Sequence, residues 1–142
     1  MSGTIGEIQN IISKFANSFD RKDWDGLKSV LCDEVECDYT SLRGAKEIVS
    51  AEEYVAKRKL ALNEVDTHHI ISNYEIDMAD NAAECRASSM IWRRKNGNGF
   101  NTHALYTFKL VNESSGWKIS AIKQEVLWNK GDASIHSGTK NG

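Results

Sequence analysis

At 142 residues, 40% hydrophobic and 27% charged, the chain has the size of one ordinary domain and enough apolar surface for a core. Its net charge of −2, with acids and bases mixed along the length, lacks the basic footprint of a nucleic-acid or anionic-membrane binder, and no apolar run approaches membrane-spanning length. The three cysteines, Cys32, Cys37 and Cys85, are odd in number and lack CxxC spacing, which argues against a disulfide framework or a zinc site and predicts reduced thiols in a cytoplasmic protein.

The N-terminal MSGTIGEIQNII carries a glutamate among its apolar residues, so it fits an amphipathic helix better than a secretory signal. From Ile5 the apolar positions Ile5, Ile8, Ile12, Phe15, Ala16 and Phe19 form a helical stripe that should face a core. The row Ile12, Ala16, Asp20 continues that face, which sets the carboxylate of Asp20 toward the interior. A second helix is predicted after Asp23, whose side chain caps the turn WDGL, with Trp24, Leu27, Val30 and Leu31 buried. Asp25, in its first turn, is placed favourably at the positive end of the helix dipole.

EVECDY alternates Val35, Cys37 and Tyr39 with Glu34, Glu36 and Asp38 and reads as a short half-buried strand. SLRGAKEIV reads as a loop or short irregular element. SAEEYVAKRKLAL then offers Ser50 as an N-cap with Glu53 three residues on, a capping box that opens a third helix.

After Thr67 come four β-rich stretches, HHIISNYEIDM, NAAECRASSMIWRRK, GFNTHALYTFKLV and GWKISAIKQEVLW, separated by turns at ADN, NGNG and NESSG. They predict an antiparallel meander, and Arg93, Arg94 and Lys95 before NGNG read as a solvated hairpin end. Helices, one strand, a helix and then a sheet make an α+β domain over residues 1–128. The Gly/Ser-rich tail 129–142 is expected to be poorly ordered.

The same element order, with the wording ANSFDRKDWDGLKSVL, DYTSL, AEEYV, THHIISNYEI and GWKISAI, resembles the scytalone dehydratase branch of the SnoaL-like group. The resemblance covers roughly residues 5–128. It implies a cystatin/NTF2-like cone in which a curved antiparallel sheet wraps around N-terminal helices. It also implies a metal-free and cofactor-free acid–base pair, which falls on Asp20 of FDRKDW and His69 of THHII, with Tyr39 of DYTS as the hydrogen-bond donor to a substrate carbonyl. The chain departs from the family where a tyrosine beside the aspartate is Phe19 and where a second active-site histidine falls on Trp92.

His68 and His69 point to opposite faces of a strand, so only one can face a pocket. The parity of Ile70, Tyr74 and Ile76 is the more apolar and favours His68; the spacing in the family, with Asn73 four residues on, favours His69, which is preferred. His103 alternates with the row Ala104, Tyr106, Phe108 and Leu110 and should face away from it unless a bulge intervenes. Phe19, Trp92, His103 and Asn73 are the candidate substrate-binding residues; Trp92, Trp117 and Trp128 serve either a pocket or the core.

The chain has no nucleotide loop, no metal-ligand spacing and no nucleophile motif, so no cofactor is expected. The implied activity is dehydration of a small cyclic hydroxy-ketone or polyketide-like molecule. The alternatives are a ketosteroid-isomerase-like isomerase and a non-catalytic module that binds a small apolar or cyclic ligand. Neither nucleic acid nor membrane is an expected partner, and a homo-dimer or homo-trimer is expected because a cone leaves one sheet face partly apolar.

Overall fold

The chain enters its first helix, α1 (Ile5–Arg21), through a reciprocal cap: the Glu7 N–H donates to Thr4 Oγ1 at 3.2 Å and the Thr4 N–H to Glu7 Oε1 at 3.1 Å. This is a computed structural model, which describes residues 4–43 and 46–136. Ile8, Ile12, Phe15, Ala16 and Phe19 are buried as the helical stripe requires, whereas Ile5 at the helix start is exposed. Lys22 stops the helix in the left-handed conformation, φ 53°, its N–H bonded to Phe19 O and the next N–H, of Asp23, to Ser18 O. Asp20 is thereby held in the last turn, on the inward face.

Asp23 then caps α2 (Trp24–Ser29) by accepting the Gly26 N–H at 2.9 Å. The helix is short, so Val30 and Leu31 are buried outside it, and Leu31 already begins β1 (Leu31–Asp38). The stretch expected to be irregular holds α3 (Thr40–Arg43) and a strand, β2 (Lys46–Ser50), that pairs antiparallel with β1; its residues 44 and 45 lie outside the described residues. Val49 alone of β2 is buried, so the segment carries too weak an alternation to announce itself. Ser50 caps α4 (Ala51–Ala61) by accepting the Glu53 N–H at 3.0 Å, while the Glu53 carboxylate turns to Lys57 at 3.6 Å.

β3 (Asp66–Met78), β4 (Ala82–Lys95), β5 (Asn98–Glu113) and β6 (Gly116–Gly131) form the predicted antiparallel meander. The β4–β5 hairpin closes with Asn96 and Gly97 both at positive φ, the geometry that matches strand twist in a two-residue turn. The sheet order is β2-β1-β6-β5-β4-β3, and β1 joins β6 in parallel. The helices pack on one face, with Phe15 edge-on to Phe108 at 5.4 Å.

Bulges decide which residues face those helices. In β3 the register shifts between Ser72 and Glu75, and Asn73 lies there at φ 56°. Before the shift Thr67, His69 and Ile71 point inward; after it Tyr74, Ile76 and Met78 do. The rule of alternation, carried across the bulge, had joined Ile70 to Tyr74, yet Ile70 is exposed. In β6 a shift opposite Lys109 and Leu110 likewise lets Ile119 and Ile122 share one face.

The chain beyond Asn129 stays ordered through His136, contrary to the sequence expectation; residues 137–142 of the tail, like residues 1–3, lie outside the described residues. Gly131 turns at φ 110°, where a Cβ would collide with the Gly99 carbonyl, and the Asp132 N–H donates to that carbonyl at 2.9 Å. Asp132 caps a single 3₁₀ turn, Ala133–Ile135, which buries Ile135 and His136.

The Asn73 bulge generates a stability prediction. Asn73→Val should destabilise by about 1–2 kcal/mol, because a branched side chain resists the left-handed conformation, and Asn73→Gly should not. Chemical denaturation checks this; equal midpoints for the Val and Gly variants would show that the bulge does not depend on that conformation.

Candidate active site

Asp20, at the end of α1, and His69, on the inward face of β3, come together under the open end of the sheet. Asp20 Oδ1 lies 2.6 Å from His69 Nδ1, Asp20 Oδ2 accepts the His69 backbone N–H at 2.9 Å, and the Thr67 hydroxyl donates to Oδ1 at 3.0 Å. Thr67 and His69 are two apart on the strand, so both reach one carboxylate. Burial opposes ionisation of Asp20, but the hydrogen bonds from the His69 ring and backbone, the attraction to that ring and the Thr67 hydroxyl outweigh it and hold the carboxyl below its ordinary value. An ionised carboxylate only accepts, so Nδ1 carries a proton and Nε2 bears the lone pair of the neutral ring. Phe19 stacks on the imidazole at 5.3 Å and Trp24 backs Phe19 edge-on at 6.3 Å.

The histidine lines a cavity of about 40 Å³, which is room for roughly three waters. Its wall also holds Phe19, Thr67 and Ile91, together with Tyr39, Arg58, Leu62, Arg93, Tyr106, Gln124 and His136. Tyr39 comes from the end of β1, and its hydroxyl lies 2.7 Å from that of Tyr54. Arg58, one turn beyond Tyr54 on α4, stacks its guanidinium over the Tyr54 ring at 4.3 Å and the Tyr39 ring at 5.0 Å, and hydrogen-bonds Tyr39. Burial pushes the Tyr54 and Tyr106 phenols above their ordinary range, so both are neutral donors at physiological pH. Gln124 Nε2 donates to Tyr106 at 3.0 Å. Arg93 donates to Thr102 at 2.7 Å, and Thr102 in turn donates to Asn129 at 2.8 Å.

Of the residues singled out from sequence, His69, Tyr39 and Phe19 line this cavity, Asp20 holds His69 from outside its wall, and three others lie away from it. Trp92 is on the outer face, its ring 6.1 Å from that of His68; the inward neighbour at that point of β4 is Arg93, only 3% exposed although its charge had suggested a solvated hairpin end. His103 stacks on Trp128 at 4.6 Å on the outer face too, because the register shift beside it leaves the inward row of β5 unbroken. Asn73 forms the β3 bulge and is exposed, its amide 3.5 Å from Ser88, so it shapes the strand without lining the cavity.

Arg58, Arg93, Tyr106, Gln124 and His136 were missed. Arg58 follows Ala51, Tyr54 and Val55 at helical core spacing, and Arg93 follows Cys85, Ala87, Ser89 and Ile91 at strand spacing; a charged residue continuing an apolar row was the available signal. His136 gave none, since its burial depends on the turn at Gly131. Larger depressions, of about 300 to 410 Å³, lie elsewhere on the surface and contain neither Asp20 nor His69. Among the described residues no group of three or more His, Cys, Asp or Glu side chains is placed to hold a metal ion, and no helix is long and apolar enough to cross a membrane.

No curated protein sequence matches the chain at significance. Solved structures match it closely in shape. The Kfla4162 protein from Kribbella flavida superposes with a TM-score of 0.85 at 19% identity, covering 92% of this chain and 94% of its own. A protein described as a candidate scytalone dehydratase, from Novosphingobium aromaticivorans, gives 0.80 at 14% identity over 90% and 87%. Hexachlorocyclohexane dehydrochlorinase LinA-type3 from Novosphingobium barchaimii gives 0.72 at 16% identity over 92% and 91%. At these identities the likeness is one of fold, and further neighbours are described as NTF2-like and as having a cystatin-like fold, in keeping with the six-stranded sheet and its N-terminal helices. The family model for the SnoaL-like domain matches residues 3–123, and the chain belongs to the SnoaL-like domain family.

Proposed function

We propose that the protein is a cofactor-independent acid–base enzyme, a dehydratase acting on a small cyclic hydroxy-ketone or polyketide-like molecule. The observation that carries this reading is the 2.6 Å contact between Asp20 and His69 beside a buried cavity. Two of the fold neighbours bear names of elimination enzymes, a dehydratase and a dehydrochlorinase, and the same class of chemistry suits this pair.

His69 Nε2 takes a proton from the carbon next to the substrate carbonyl, while Asp20 orients the ring and stabilises the imidazolium. Negative charge moves to the carbonyl oxygen, where Tyr39 donates. Tyr39 suits that role when the Tyr54 hydroxyl is the donor of their 2.7 Å contact, because Arg58 can only donate to the Tyr39 oxygen and the Tyr39 proton is then directed to the substrate. The imidazolium then protonates the leaving β-hydroxyl, which departs as water and leaves the conjugated enone. Return of the proton to another carbon instead would be isomerisation, which shares the first step.

A cavity of about 40 Å³ admits a functional group and no ring, so entry of a cyclic substrate requires the wall to yield; Tyr39, Leu62 and His136 are the lining residues that stand outside helices and strands. The small volume is also what a non-catalytic binding module would show, and turnover separates the two.

The oligomer belongs to the same proposal. Ile70, Met90, Trp92, Leu105 and Trp128 are exposed together on the outer face of β3 to β6, and a second copy of the chain would bury them in a dimer or trimer.

Three outcomes check this reading. Across a panel of cyclic β-hydroxy-ketones, His69→Ala should lower enone formation by about 10²–10⁴-fold with the fold intact, and Tyr39→Phe by less because water replaces a donor in part; turnover that survives His69→Ala would remove the mechanism. The ionised Asp20 is the hydrogen-bonded form, so its stabilising effect is complete above its ordinary value of 3.8 and disappears as the pH falls through its lower folded value. Thermal unfolding should accordingly show the native chain losing its advantage over Asp20→Asn below about pH 4; an advantage unchanged down to pH 2 would contradict the hydrogen-bonding account. Light scattering at micromolar concentration should give a dimer or trimer mass, and a monomer mass would reject the self-association.

A further inference from the structure

The wall of the cavity is cationic in a way that the acid–base pair does not use. Arg58 is 4% exposed and lines the cavity with His69, and Arg93 adds a second buried guanidinium to the same wall. The groups against the Arg58 guanidinium are the Tyr54 and Tyr39 rings, at 4.3 and 5.0 Å, and among the described residues no carboxylate lies within 4.0 Å of it. Aromatic faces stabilise a guanidinium only in part, and a buried cation without an anion is expensive to keep. Asp20 does not compensate it, because its oxygens are taken by Thr67 and His69 and it is not part of the cavity wall.

A second observation points the same way. Gln124 is 2% exposed and lines the cavity; one end of its amide is engaged by Tyr106, and the other, Oε1, is buried with no hydrogen-bond partner among the described residues. The two ends of an amide exchange by a flip, after which Tyr106 O–H donates to Oε1 and the NH₂ group is the one left over. The site then holds a guanidinium and an amide NH₂, both donors, at one small cavity.

We infer that the ligand of this cavity carries a carboxylate, seated on Arg58 and Gln124, so that the hydroxy-ketone proposed above is a hydroxy-ketone acid. The inference rests on that reading for the reacting end of the molecule and on Arg58 and Gln124 for the charged end. A planar guanidinium matches a carboxylate through two parallel hydrogen bonds. A neutral hydroxy-ketone would leave the guanidinium uncompensated and so discriminates poorly against water.

The test compares acids with their amides, which have nearly the same shape and no charge. Acetate with acetamide, and benzoate with benzamide, are titrated into the full chain at low chloride and followed by amide chemical shifts. Each carboxylate should bind about 10- to 100-fold more tightly than its amide, the ratio expected of a charge-assisted bond over a neutral one. Arg58→Met should abolish that preference, and Arg58→Lys should keep part of it. Equal affinity of acid and amide for the native chain would overturn the inference, and that comparison needs no variant. So would an unchanged preference in a folded Arg58→Met. Turnover of neutral hydroxy-ketones without any acid preference would reject the inference and leave the mechanism standing. Acid preference without turnover of any hydroxy-ketone, acidic or neutral, would uphold the inference and reject the mechanism.

Discussion

The carboxylate of Asp20 accepts hydrogen bonds from the ring and backbone of His69 and from the hydroxyl of Thr67, and so ties the last turn of α1 to the start of β3. Much else follows from that tie. It fixes the side of the sheet on which α1 lies, the face of β3 that looks inward, and the protonated nitrogen of the histidine. The helix must end just past Asp20 for the carboxylate to reach the strand, and it does, because Lys22 takes the left-handed conformation and Asp23 starts the next helix. Phe19, the neighbour of Asp20, covers the imidazole from one side.

Around this pair the fold gathers polar groups that a hydrophobic core would ordinarily exclude. Tyr39, Tyr54 and Tyr106 bring hydroxyls inside, and Arg58 and Arg93 bring charge. Each is supported by aromatic or hydroxyl neighbours: Arg58 by two tyrosine rings, Arg93 by the Phe100 ring at 5.3 Å and the Thr102 hydroxyl. Such a network costs stability relative to an apolar filling, and it is the setting in which the proposed acid–base chemistry would operate. The apolar core around Ile8, Ile12, Phe15, Phe108 and Ile122 is continuous with it, since Tyr106 stacks on Phe108 at 5.1 Å and Phe19 packs on Phe15 at 5.1 Å.

The outer face of the sheet has the opposite character. Trp92 and Trp128, with His68 and His103 stacked beside them, stand on the surface that the helices leave uncovered. Aromatic residues that the sequence offered to the pocket therefore divide by strand parity: those in register with Ile91 or Tyr106 face inward, and their neighbours face out.

The sequence by itself determined the helical stripe of α1, the caps at Asp23 and Ser50, the four-strand meander and its turns, and the inward direction of Asp20. These are local: a cap acts over three residues, a helical row over four, and a hairpin turn over two. Joined to the family resemblance, they were enough to bring out Asp20, His69, Tyr39 and Phe19. Only the tertiary structure decided between His68 and His69, because the bulge at Asn73 reverses the parity of β3 and depends on pairing with β4, far along the chain. It alone seated Arg58 and Arg93 in the cavity, where aromatic partners from other elements support a charge that local reasoning assigns to solvent. It alone brought His136 to the site, through a close approach of Gly131 to Gly99 from neighbouring strands. Local periodicity records which residues prefer burial, whereas the partners that make burying a charge or bending a strand tolerable come from elements distant in sequence, and no window along the chain contains both.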